Sequence, residues 1–154
     1  MMIVAALLLV HVLSAAFWVG GMATVHLAVR PAAAQALIEP PRRLALMHAV
    51  LDHFFLGVTL AIVALLASGF ALIALAGGFA VQPPRVHAMT GLGLVMTAIF
   101  VVIRLRHYPR LQRGVAAGDW PAAGAALNAI RQLVAVNLVL GVLVFAAALL
   151  GRAL

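Results

Sequence analysis

No cysteine occurs in the 154-residue chain, which excludes disulfides, thiolate metal sites and cysteine nucleophiles. Lysine is absent too, and the acidic side chains number only three, Glu39, Asp52 and Asp119. Charged residues make up 8% of the chain, against roughly a quarter in a soluble domain. The sequence contains no HExxH, no paired carboxylates and no serine set beside a histidine and an acid, so nothing supports hydrolytic chemistry. What it has in abundance is apolar: 67% of residues are hydrophobic. Such a chain finds its solvent in a bilayer.

A spanning helix takes about 20 mostly apolar residues. Four segments supply that length, at about 3–27, 54–79, 85–104 and 130–151. With most of the chain in the membrane, residues 1–154 read as one all-α, four-transmembrane-helix domain. The first segment lacks a positive n-region, and its apolar run continues past Ser14, Ala15 and Ala16. Both features predict a retained helix rather than a cleaved signal peptide. The net charge of +7 owes its positive side to arginine alone. Four helices put the termini and the 80–86 loop on one side, with Arg85 and Arg152. The 28–52 and 104–130 loops fall on the other, with Arg30, Arg42, Arg43, Arg104, Arg106, Arg110, Arg113 and Arg131. The positive-inside rule then predicts cytoplasmic loops at 28–52 and 104–130 and both termini on the periplasmic or outer side, as in a bacterial inner membrane. Topology accounts for the arginines, so nucleic-acid binding has no support.

Local signals set the element ends. The first helix is expected to stop near Arg30-Pro31, because the residue before proline is pushed out of helical geometry. The segment IEPPRR (38–43) reads as a turn, followed by a short amphipathic stretch into the second helix. Gly77-Gly78 and Gln82-Pro83-Pro84 mark a tight turn. Pro109 is a potential break in RLRHYPR; a continuous helix would put Arg106, Arg110 and Arg113 on one face, suited to anionic lipid. Asp119 is placed to cap a helix opening on Trp120-Pro121. Asn137, on the face of Gly141, is an expected interhelical hydrogen-bond donor.

Six histidines among so few polar residues carry the functional signal. Imidazole in hydrocarbon is costly and marks a site by default. His11 and His87 lie toward the outer ends of their helices, whereas His26, His48, His53 and His107 lie near the cytoplasmic boundary. At about 100° per residue, His11, Ala15, Trp18, Met22 and Val25 share a face of the first helix. On the third, His87 shares a face with Gly91, Leu94 and Ala98, small residues that leave room for a flat ligand. Three chemistries use such histidines: axial ligation of haem, imidazole–thioether binding of Cu(I), and a proton relay. Asp52 is the relay's only acid and sits at the membrane edge, which makes that option the weakest.

His11, with Trp18 seven residues later and Gly20-Gly21 just after, resembles the first helix of the CopD-type membrane proteins. So do Arg30-Pro31, HFF (53–55), ASG (67–69), GDWPAA (118–123) and IRQLVAVNLVLG (130–141). That resemblance implies a four-helix unit with a role in copper resistance or uptake. A more distant similarity, carried by His11, Trp18 and Gly21, is to the HemJ-type protoporphyrinogen oxidases, which bind haem b. Met89 stands where that family has a lysine after the later histidine, and Val25, His26 and Leu27 occupy its Pro-Arg region. These departures count against protoporphyrinogen oxidation itself.

The leading expectation is therefore an electron-transfer protein holding haem b between helices one and three. His11 and His87 are its axial ligands, with Trp18, Met22, Gly21 and Gly91 around the site. A second haem on His26 and His53 is a further option. The alternatives are copper handling, with His11, Met22 and His87 or Met89 as ligands, and an accessory subunit of a larger membrane complex. Expected partners are the bilayer, a quinol or periplasmic redox protein, and other copies or subunits. Any enzymatic activity would be that of a membrane oxidoreductase.

Overall fold

A computed structural model describes residues 1–150 and contains no strand among them. Four helices, α1 (Met2–Ala36), α2 (Pro40–Leu75), α3 (Pro84–Ala117) and α4 (Trp120–Leu150), are each long and apolar enough to cross a membrane. Residues 151–154, with Arg152 and the expected end of the fourth span, lie outside the described residues. One end of the bundle carries Met2, the turn after α2 and Leu150. The opposite end, where α1 meets α2 and α3 meets α4, carries eight arginines and is called the arginine end below.

Every helix is longer than its apolar run. Two expected breaks are absent. Pro31 does not end α1, and Pro109 does not end α3. A proline lacks an N–H and its ring collides with the carbonyl four residues back, here Leu27 and Leu105. The chain relieves both collisions in the same way. A five-residue π-helical segment precedes each proline, Val25–Val29 in α1 and Ile103–His107 in α3. Within them the Arg30 N–H donates to the Val25 carbonyl and the Tyr108 N–H to the Ile103 carbonyl, five residues back. The wider turn makes room for the ring and the helix resumes. The expected lead-in before residue 54 is likewise the first part of α2 itself. At about 1.5 Å per residue, the four helices run roughly 14–21 Å beyond their apolar spans at the arginine end.

This extension carries buried core of its own. Tyr108, Leu111 and Ala123 are each 1% exposed or less, the burial that the hydrophobic effect favours for apolar side chains between packed helices. Gly118, with φ +66°, ends α3 in the left-handed conformation, and Asp119 Oδ1 accepts from the Ala122 N–H at 3.0 Å as the cap of α4. At the other end Gly77 and Gly78, at φ +95° and +88°, make the tight turn after α2. Within the membrane span α1 packs chiefly on α2, and α3 on α4. Between α1 and α2 rings sit over glycines: Phe54 covers Gly21, Phe17 covers Gly57 and His11 covers Gly69. Trp18, Phe55, Phe100 and Tyr108 join edge to face along the centre, at centroid distances of 5.3–6.3 Å.

Asn137 is the buried polar residue of α4, and its Nδ2 donates to the Met96 carbonyl of α3 at 3.1 Å. The interhelical donor expected from sequence is present. Interhelical hydrogen bonds in membranes contribute about 0.6 kcal/mol on average and up to about 1.7. Asn137→Ala should lower stability by that amount, plus a small cavity cost, in a detergent unfolding titration.

Candidate functional site

His11 projects from α1 onto α2. Its Nδ1 lies 3.0 Å from the Leu65 carbonyl and 3.3 Å from Ser68 Oγ. A carbonyl oxygen only accepts, so Nδ1 carries the proton and Nε2 keeps its lone pair. Ser68 is 3% exposed, and its own hydroxyl donates to the Ala64 carbonyl at 2.6 Å, leaving its oxygen to accept from His11. Gly69 provides the space. A Cβ there would stand 2.9 Å from His11 Cε1. The imidazole is thus held half-buried in one tautomer with its second nitrogen uncommitted.

His87 lies at the same end of the bundle. Its Nδ1 is 3.3 Å from the Pro83 carbonyl of its own helix, its ring lies 6.0 Å from Phe79, and Phe79 meets Phe70 on α2. Phe70 directly follows Gly69, the residue under His11, so a short relay of rings links the surroundings of the two histidines. The ring of His87 is exposed, and no hydrogen bond or ring contact joins it to His11. The other residues expected around the site are in the packing or outside it. Trp18 and Met22, each 2% exposed, belong to the central core. Gly21 lies under Phe54, and Gly91 is exposed. Met89 is half-buried.

At the inner level His26 lines a cleft between α1, α2 and α4, whereas His53 is exposed and bonded to the Ala49 carbonyl of its own helix at 2.9 Å. No hydrogen bond or ring contact joins those two rings. Among the described residues no group of three or more His, Cys, Asp or Glu side chains could hold one metal ion.

A different polar cluster does form at this level, around the chain's one tyrosine. Tyr108, 1% exposed, donates its hydroxyl proton to Asp52 Oδ1, and His48 Nε2 lies 3.4 Å from the Tyr108 hydroxyl oxygen. His48 stacks on the Tyr108 ring at 5.7 Å and 12°, while the Arg104 guanidinium lies 4.9 Å from the ring centroid. Sequence reasoning treated these residues one by one and missed their convergence. The signal was the i,i+4 pairs His48/Asp52 and Arg104/Tyr108, each of which shares a helix face. The cluster ties α2 to α3 where both leave the apolar span. Tyr108→Phe keeps the ring and its stacking but removes the hydroxyl. A loss of about 1 kcal/mol or less is expected, because Asp52 is exposed and water replaces the donor; the same unfolding titration checks it.

These features define a four-helix integral membrane protein with a pinned intramembrane histidine at one end and an arginine-rich extension at the other. The profile of the family described as copper resistance protein D (CopD) matches residues 48–150, and the chain belongs to that family. The match begins within α2, so α1 and His11 lie outside it. No curated protein and no solved structure matches the chain.

Proposed function

We propose that the chain is a membrane redox protein that binds a b-type haem, with His11 and His87 as its axial ligands. One observation carries the reading: the His11 Nδ1–H is committed to the Leu65 carbonyl, which leaves Nε2 with its lone pair to act as a donor. Metal-ligating histidines almost always have the second nitrogen hydrogen-bonded in this way, which fixes the ring and raises its basicity. The donor chemistry fits a porphyrin iron, since imidazoles from two helices toward the same end of a bundle are a common ligand set. Bound there, haem would supply one-electron exchange. The residues supply orientation: Ser68 and Leu65 hold the His11 tautomer, and Gly69 sets the distance between α1 and α2. With the positive-inside rule placing the arginine end in the cytoplasm of a bacterial inner membrane, His11 stands toward the periplasmic side, within reach of quinol or a periplasmic redox partner. The test is the absorption spectrum of the purified protein, oxidised and dithionite-reduced. A Soret band with reduced α and β bands supports the reading, and their absence overturns it.

Copper handling is the second reading, and the family's description favours it. Imidazole and thioether suit Cu(I). Met22 is sealed in the core, so the thioether would come from Met89, with His11 and His87 as the nitrogen donors. Stoichiometric copper without iron in metal analysis would decide for this reading.

A further inference from the structure

The cleft beside His26 has a volume of about 360 Å³ and draws on three helices at the arginine end. Its polar lining comes from His26 and Arg30 of α1, Arg43 from the first turns of α2, and Asn128 and Arg131 of α4. His26 lies in the π segment of α1 and Arg30 just past it, four residues on, and both line the cleft. The rest of the lining is apolar, with Met47 and Val134 among it. No carboxylate faces the cleft. All three acids of the chain are committed elsewhere: Glu39 pairs with Arg42 at 2.9 Å, Asp52 accepts from Tyr108, and Asp119 caps α4. Among the described residues no ion pair involves Arg30, Arg43 or Arg131.

Three arginines that line one cleft without a counter-charge repel one another, and an anion among them relieves that repulsion. The guanidinium fork matches the oxygens of a phosphate, to which it donates two parallel hydrogen bonds. Basic pockets between membrane helices on the cytoplasmic side are suited to phospholipid headgroups. We infer that this cleft binds a phosphate group, in a site where Arg30, Arg43 and Arg131 clamp the oxygens. The shared chemistry is a phosphate ester or phosphate anion. The apolar wall accepts the first methylenes of a lipid, whereas a soluble phosphate would use the arginines alone. The inference is independent of which metal or cofactor His11 holds.

Thermal melting of the full-length protein in a neutral detergent tests it, with three probes added separately: dioleoylphosphatidylglycerol, dioleoylphosphatidylcholine and inorganic phosphate. The wild type should gain about 5 °C from phosphatidylglycerol at saturation and much less from phosphatidylcholine. Arg43→Gln/Arg131→Gln should lose that gain, while Arg42→Gln, at the exposed partner of Glu39 and outside the cleft, should keep it. A gain from inorganic phosphate alone, lost in the same double variant, would identify the source as a soluble phosphate. Arg30→Gln repeats the test at a more exposed guanidinium if the double variant is not recovered folded. Equal gains in the wild type and the cleft variants, or no gain from either anion, would overturn the inference.

Discussion

His11→Ala should abolish the Soret band while leaving a folded, monodisperse four-helix protein. Loss of a residue that only orients a metal ligand costs about 10–100-fold in affinity, and loss of the ligand itself should exceed that. Folding should survive, because His11 is half-buried and its contacts are to one carbonyl, one hydroxyl and the space above Gly69. Two companion variants separate ligation from packing. Ser68→Ala leaves the Leu65 bond and should retain haem with a shifted reduction potential. Gly69→Val puts a β-branched side chain where a Cβ already stands 2.9 Å from the imidazole, so it should displace the ring and lower occupancy although His11 is present. His87→Ala should convert a six-coordinate low-spin spectrum to a high-spin one, read by electron paramagnetic resonance. A wild-type Soret band in His11→Ala would show that this imidazole is not a ligand.

The largest effect on stability is expected at Gly114. A Cβ there would lie 2.8 Å from the Ala123 backbone nitrogen and 3.0 Å from its Cα. The obstacle is main chain on the facing helix, and Ala123 is fully buried, so no side-chain rotation relieves it. Overpacking of this kind costs about 1–3 kcal/mol. Gly114→Val should sit at the upper end and lower the thermal midpoint by roughly 6–12 °C. Gly20→Ala is the control. A Cβ at Gly20 meets nothing within 4 Å, and removing a mid-helix glycine should leave stability unchanged or raise it by up to about 1 kcal/mol. Equal midpoints for the two variants would mean that the α3–α4 approach does not limit stability.

Some of this architecture is legible in one dimension. The four apolar runs, the Gly77-Gly78 turn, the Asp119 cap and the Asn137 hydrogen bond each depend on a local signal or on a residue whose burial demands a partner. Hydropathy is a sum along the chain, and backbone groups in lipid must be satisfied within the helix, so the fold class and the spans follow from composition.

Other features needed the third dimension. Pro31 and Pro109 read as helix ends because their collision with the preceding turn is local. Whether a helix stops or widens into a π turn depends on what packs around it. Arg30, just past the first such segment, lines a cleft beside His26. Tyr108, just past the second, is driven into the core against Phe55, His48 and Asp52. Each π segment also takes up extra chain, so a face counted at 100° per residue no longer holds beyond it. Periodicity tells which face of a helix is special but not which helix lies against it. The sequence by itself determined that His11 sits in a membrane helix, where an imidazole must be satisfied. Only the tertiary structure decided that Leu65, Ser68 and Gly69 of α2 satisfy it, since that pairing depends on how α1 and α2 pack side by side, a choice carried by ring-over-glycine contacts more than fifty residues apart in the chain for His11 and Gly69.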